Sequence, residues 1–229
     1  MKKISDVAEE IEKSQSVKYH RGKSWEHCYV FFRNYKKFRN DRKLLDHATL
    51  HLGFFLASWG MLRGSSFLLQ KDYKFYAPII ETLIDSKYDG LWNFNFSEEL
   101  EKQNFDLLFV LKEDLRQVII QNNHDSKKPT DLLITKIIMA TMGCVPAYDR
   151  YFKDGLKNWL KKKIGPKKSK KNFSNFSKDS FKNLLDLSRE DKELKKVYTE
   201  LCLIKETNIK YPPMKLLDLY FWLEGQPSE

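Results

Sequence analysis

Apolar residues recur at three- and four-residue spacing in one window of this chain after another. Ile4, Val7, Ala8 and Ile11 mark one face of a short helix over residues 4–15. Trp25, Tyr29, Phe32 and Tyr35 mark another, which the pattern extends from Ser24, a residue type that caps helix N-termini, to residue 39. Asp41 is placed to cap a long helix over residues 42–61, with Leu45, Ala48, Leu52, Phe55, Leu56 and Trp59 as its stripe. Gly60 and Gly64 then break the pattern, and Ser65-Ser66 offers an N-cap for a short turn over residues 67–70. Further helices are expected over residues 75–91, 98–120, 132–142, 147–164, 178–204 in one or two pieces, and 214–224.

No window shows sustained period-two alternation between hairpin turns, and no segment repeats at a solenoid period. The expected fold is all-α: a single globular helical domain over residues 1–229, with about eight to ten helices. Its Lys-rich stretch at about residues 165–177 reads as a mobile loop.

Composition narrows the class. Apolar residues make up 41% of the chain and aromatics 14%, too much for a disordered segment. No run approaches the roughly 18 uninterrupted apolar residues of a membrane span. The start of the chain is acidic by its sixth residue and lacks the apolar core of a signal peptide. Three scattered cysteines, Cys28, Cys144 and Cys202, fit free thiols, so a cytoplasmic location is expected.

The net charge is +10 and unevenly spread. Residues 153–171 hold nine lysines against one aspartate, and residues 33–43 hold six lysines or arginines against one aspartate. Such runs attract polyanions through long-range steering and counterion release. A solvated, lysine-rich surface would look the same.

The candidate chemistry centres on residues 135–152. An apolar helix runs into Gly143, a short turn carries Pro146, and Asp149 and Arg150 stand where a second helix begins. Helix, glycine, proline turn and aspartate in that order resemble part of the helix-hairpin-helix DNA glycosylase superfamily. The resemblance implies that Asp149 is a catalytic aspartate and that Tyr148 and Arg150 flank it. A carboxylate beside a flipped nucleotide can stabilise a cationic sugar or activate a nucleophile. The family's glycine-rich hairpin and hairpin lysine have no counterpart here, and Arg150-Tyr151 stands where the family has Thr-His.

A second cluster, Arg63 with Ser65 and Ser66, offers a guanidinium and a small helix start, a combination suited to anions. Ala-Ser-Trp-Gly-Met at residues 57–61 and Gly-Cys-Val-Pro-Ala-Tyr-Asp-Arg at residues 143–150 are similar to runs in an uncharacterised bacterial all-helical family. That resemblance implies no activity. His47 and His51 have metal-ligand spacing, but Ala48 stands where a zinc hydrolase has its glutamate and no Cys or His cluster supplies obvious further ligands, although His27 and Cys28 lie on the neighbouring helix, so no metal and no cofactor are expected.

The expectation is therefore a nucleic-acid-binding protein, extending to DNA processing of glycosylase-like type, with DNA rather than RNA as partner and no membrane. Lys161, Lys162, Lys163, Lys167 and Lys168 would supply affinity for phosphates. Arg63, Ser65, Ser66, Tyr148, Asp149 and Arg150 would line one polar pocket. The competing expectation is a non-enzymatic helical interaction module, in which an Asp–Arg network only fixes helix packing. The pattern does not specify an oligomeric state.

Overall fold

The computed structural model describes residues 3–93, 98–123, 127–164, 173, 175–200 and 202–227. Among them the protein is all-α, with eleven α-helical segments, three short 3-10 turns and no strand. One isolated antiparallel bridge joins Leu203 and Lys210. No helix among the described residues is long and apolar enough to cross a membrane. The chain divides into two compact units, Tyr19–Cys144 on one hand and Met1–Lys18 with Val145–Glu229 on the other.

The first of these holds α2 (Lys23–Phe32), α3 (Tyr35–Phe38), α4 (Arg42–Ser58), α5 (Ala77–Leu83), α6 (Glu98–Asn122) and α7 (Asp131–Thr141). Helix α4 starts where the sequence places it, because the Asp41 carboxylate accepts from the Lys43 and Leu44 amides. It packs against α2, α5 and α7. Residues 133–141 of α7 are buried on every face, as an almost uniformly apolar helix must be. Its single lysine, Lys136, is buried too and donates from Nζ to the Trp59 carbonyl oxygen at 2.7 Å. The indole of Trp25 reaches α7 as well, donating to the Met139 carbonyl oxygen.

Two expected elements are divided. The aromatic helix begins at Lys23 and breaks after Phe32, so Ser24 is no cap. Its hydroxyl donates to the Arg21 carbonyl oxygen and accepts from the Trp59 indole. Residues 75–91 become a 3-10 turn (Tyr73–Tyr76), α5, and a second 3-10 turn (Ser86–Asn93). Asp85 interrupts the helix by accepting from the Lys87 amide, a local bond that competes with helix continuation. The aromatics interleaved with cations over residues 25–38 are core: Trp25, Tyr29, Phe32, Tyr35 and Phe38 are all buried.

The other unit holds α1 (Ile4–Ser16), α8 (Arg150–Ile164), α9 (Lys178–Glu190), α10 (Lys192–Thr199) and α11 (Pro213–Glu224). Helices α8 and α11 form its main packing pair, and α1 and α10 both pack on α11. Phe152, Leu156, Trp159 and Leu160 are the buried stripe of α8, and Leu217, Tyr220 and Phe221 belong to the buried side of α11. Lys167 and Lys168, with most of the expected loop at 165–177, lie outside the described residues.

Candidate functional site

The turn ahead of α8 is built as the sequence layout implies, but by different residues. Helix α7 ends at Thr141, and Gly143 follows in the left-handed region at φ 71°. Tyr148 also takes a positive φ, 54°, a conformation that costs a non-glycine residue on the order of 1 kcal/mol and must be held by its surroundings. What holds it is Asp218 of α11. One carboxylate oxygen accepts the Ala147 amide at 2.8 Å, and the other accepts from Lys215 Nζ at 2.9 Å. Both side chains of that ion pair are almost sealed from water, at 6% and 7% exposure.

Helix α8 starts at Arg150, three residues later than the periodicity alone suggests, because residues 147–149 are drawn out of helical geometry. Asp149 is half-buried, and its Oδ1 accepts the Phe152 amide at 2.9 Å. That is the bond of an N-cap, with the negative charge on the favourable end of the helix dipole. Arg150 points outward with its side chain 77% exposed. It lies over the Tyr151 ring at 5.0 Å and reaches Asp154 at 4.0 Å.

Tyr148 is a core residue. It is 3% exposed and packs between the rings of Phe152 and Phe176. Burial pushes its hydroxyl well above the ordinary phenol range, opposed only by nearby Ser180, so the group is neutral at physiological pH. It offers no open face on which a base could stack.

Arg63, Ser65 and Ser66 belong to the unit of residues 19–144, whereas Tyr148, Asp149 and Arg150 belong to the other. Arg63 is exposed and folds back over Gly60, where an added methyl would lie 3.2 Å from its guanidinium carbon. The Ser66 hydroxyl is spent on the 3-10 turn Phe67–Gln70, accepting from the Leu68 amide. Ser65 is exposed, and its carbonyl oxygen accepts from Lys127 Nζ at 2.9 Å.

The five described lysines of the basic run are not equivalent. Lys162 is ion-paired with the buried carboxylate of Glu224 on α11, and Lys163 with Asp191 at 3.2 Å. Lys161 makes no ion pair among the described residues and is exposed. On the same face of α8, Lys153 and Lys157 also lack an ion pair among the described residues. With Arg150 they form a row at positions 150, 153, 157 and 161, in which Arg150, Lys157 and Lys161 are exposed, Lys153 is half-buried beside the buried stripe, and exposed Asp154 shares the outer face.

Of the two α4 histidines, His47 is exposed and His51 is held by packing. His51 stacks on Phe31 of α2 with ring centroids 4.0 Å apart. Burial lowers its pKa, helped by the neighbouring His27 and His47. Among the described residues, no group of three or more His, Cys, Asp or Glu side chains is arranged to hold a metal ion.

The polar residues that organise this unit most are ones sequence reasoning passed over: Lys215, Asp218 and Glu224. A signal existed, because Lys215 and Asp218 stand three residues apart inside an otherwise apolar helix. Charges on a buried face must be paired, and that spacing makes them neighbours. No protein-family model, curated protein or solved structure matches the chain.

Proposed function

We propose that this protein binds nucleic acid through its phosphates, using the outer face of α8. The observation that carries this reading is the cationic row of Arg150, Lys153, Lys157 and Lys161. It spans roughly 16 Å along the solvent side of the helix, with Lys153 at the edge of the buried stripe. Three of its four members have no carboxylate partner among the described residues, so their charge is available to a polyanion. The net charge of +10 favours encounter with any polyphosphate.

The test is binding of a labelled duplex oligonucleotide over a salt series. Affinity should fall linearly on logarithmic axes. The variant Lys153→Gln/Lys157→Gln/Lys161→Gln should weaken binding on the order of a hundredfold near physiological salt and reduce the slope by about 2.7. Binding that is absent, or indifferent to salt, overturns the reading.

DNA processing at Asp149 is the finer form of this proposal. It is supported by the local order of helix, Gly143, Pro146, Asp149 and helix, and by the resemblance of that order to helix-hairpin-helix glycosylases. Asn caps a helix as well as Asp does. Asp149→Asn should therefore abolish base excision from a damaged duplex while leaving the melting temperature in place. Excision that survives the substitution removes the catalytic assignment.

The competing reading, a non-enzymatic interaction module, is favoured by the buried network of Lys215, Asp218 and the Ala147 amide, which needs no ligand to explain it. Oligonucleotide binding with the stated salt slope separates the two.

A further inference from the structure

The lysine run at the end of α8 is unevenly committed within the unit formed by residues 1–18 and 145–229. Lys162 Nζ meets the carboxylate of Glu224, which is only 3% exposed, and Lys163 Nζ meets Asp191 Oδ2 at 3.2 Å. These acids come from different places: Glu224 closes α11, and Asp191 lies at the junction of α9 and α10. Asp191 has a second duty, since its Oδ1 caps α10 by accepting the Glu193 and Leu194 amides. Glu224, Glu193 and Asp191 all bear on the hydroxyl of Tyr220. After burial, they are the main influences that raise its pKa.

We infer that Glu224 and Asp191 form an internal clasp on Lys162 and Lys163, and that these two acids set how much of the α8 charge a nucleic acid can use. A phosphate and a carboxylate present similar anionic oxygens to an ammonium group. A polyanion therefore engages Lys161 directly but must compete for Lys162 and Lys163. The clasp limits non-specific affinity, and its release adds cations next to the row already proposed to bind. This inference rests on the phosphate-binding reading of α8, and its test separates the two.

The experiment uses the full chain and three variants: Glu224→Gln, Asp191→Asn, and Glu206→Gln as a control. Glu206 is exposed and in the same unit, and its substitution removes the same charge away from the clasp. Asn at position 191 keeps the α10 cap, so that variant releases Lys163 without removing the structural bond.

Two measurements are made. The first is the acylation rate of each lysine by mass spectrometry. Lys162 and Lys163 should react more slowly than Lys161 in the parent protein, and each should speed up in the variant that removes its partner. The second is duplex binding. Either clasp variant should bind about fivefold tighter near physiological salt, with a slope steeper by about 0.9, while Glu206→Gln stays close to the parent.

Equal acylation of all three lysines in the parent overturns the clasp. Salt-dependent binding by the parent that Glu224→Gln and Asp191→Asn leave unchanged also overturns it, while the phosphate-binding reading survives. If neither the parent nor any variant binds at low salt, the phosphate-binding reading falls and takes this inference with it.

Discussion

Gly155 of α8 lies so close to Phe221 of α11 that a methyl group on it would overlap the Phe221 carbonyl oxygen. The approach is reciprocal, because a methyl on Gly225 would overlap the Tyr151 carbonyl oxygen. These clashes are with backbone, which cannot rotate away as a side chain can. The two helices cross at glycine because nothing larger fits.

Gly155→Ala is therefore expected to destabilise the protein although alanine favours helix. Overpacking against an unyielding neighbour costs about 3 kcal/mol, well above the gain in propensity of roughly 1 kcal/mol. A urea titration checks this. An unchanged or raised midpoint would show that α8 and α11 do not cross here.

The buried pair Lys215–Asp218 should be costly to break and cheaper to neutralise as a whole. Lys215→Met leaves a sealed carboxylate without its cation, and loss of about 3–5 kcal/mol is expected. Adding Asp218→Asn removes the stranded charge but keeps an oxygen for the Ala147 amide. The double variant should recover much of the loss in the same denaturation assay. A double variant no more stable than Lys215→Met would place the energy elsewhere.

Replacing the Asp149 carboxylate with a methyl should cost about 1 kcal/mol, the usual value of an N-cap, while Asp149→Asn should cost little. Equal stability of Asp149→Ala and the parent would show that the bond to the Phe152 amide contributes nothing.

Stability should decline on mild acidification, in part through His51. Burial, together with His27 and His47, lowers its folded-state pKa below the ordinary value. The unfolded chain therefore takes up this proton first. The stabilising contribution is complete above the unfolded pKa of about 6.5 and is lost as pH falls from there through the folded value. Melting temperatures recorded from about pH 8 down to about pH 5 should show the decline, and His51→Gln should flatten it. A parallel decline in parent and variant would assign the effect to other groups.

The thiols should react in a fixed order. Cys28 and Cys144 are buried, and burial raises both, Cys144 to about 12. Cys202 is only half-buried. A thiol-reactive dye should label Cys202 in the native protein and the other two only on unfolding. Early labelling of Cys28 or Cys144 would mean that the unit of residues 19–144 opens readily.

The sequence on its own determined the helical class and most element starts. Asp41, Thr130 and Pro213 sit where α4, α7 and α11 begin, because capping and proline geometry act within a few residues. The α7–Gly143–Pro146–Asp149–α8 layout was legible for the same reason. Tertiary structure alone decided which charges are free and which are spent. Lys162 meets an acid 62 positions away, and the amide of Ala147 meets one 71 positions away. Tyr148 reads as a polar neighbour of Asp149 in the chain, yet it is closed in among Phe152 and Phe176. Periodicity reports which face of a helix is apolar. It is silent on which distant carboxylate or ring will occupy the space opposite, since that is set by packing among elements far apart in the chain.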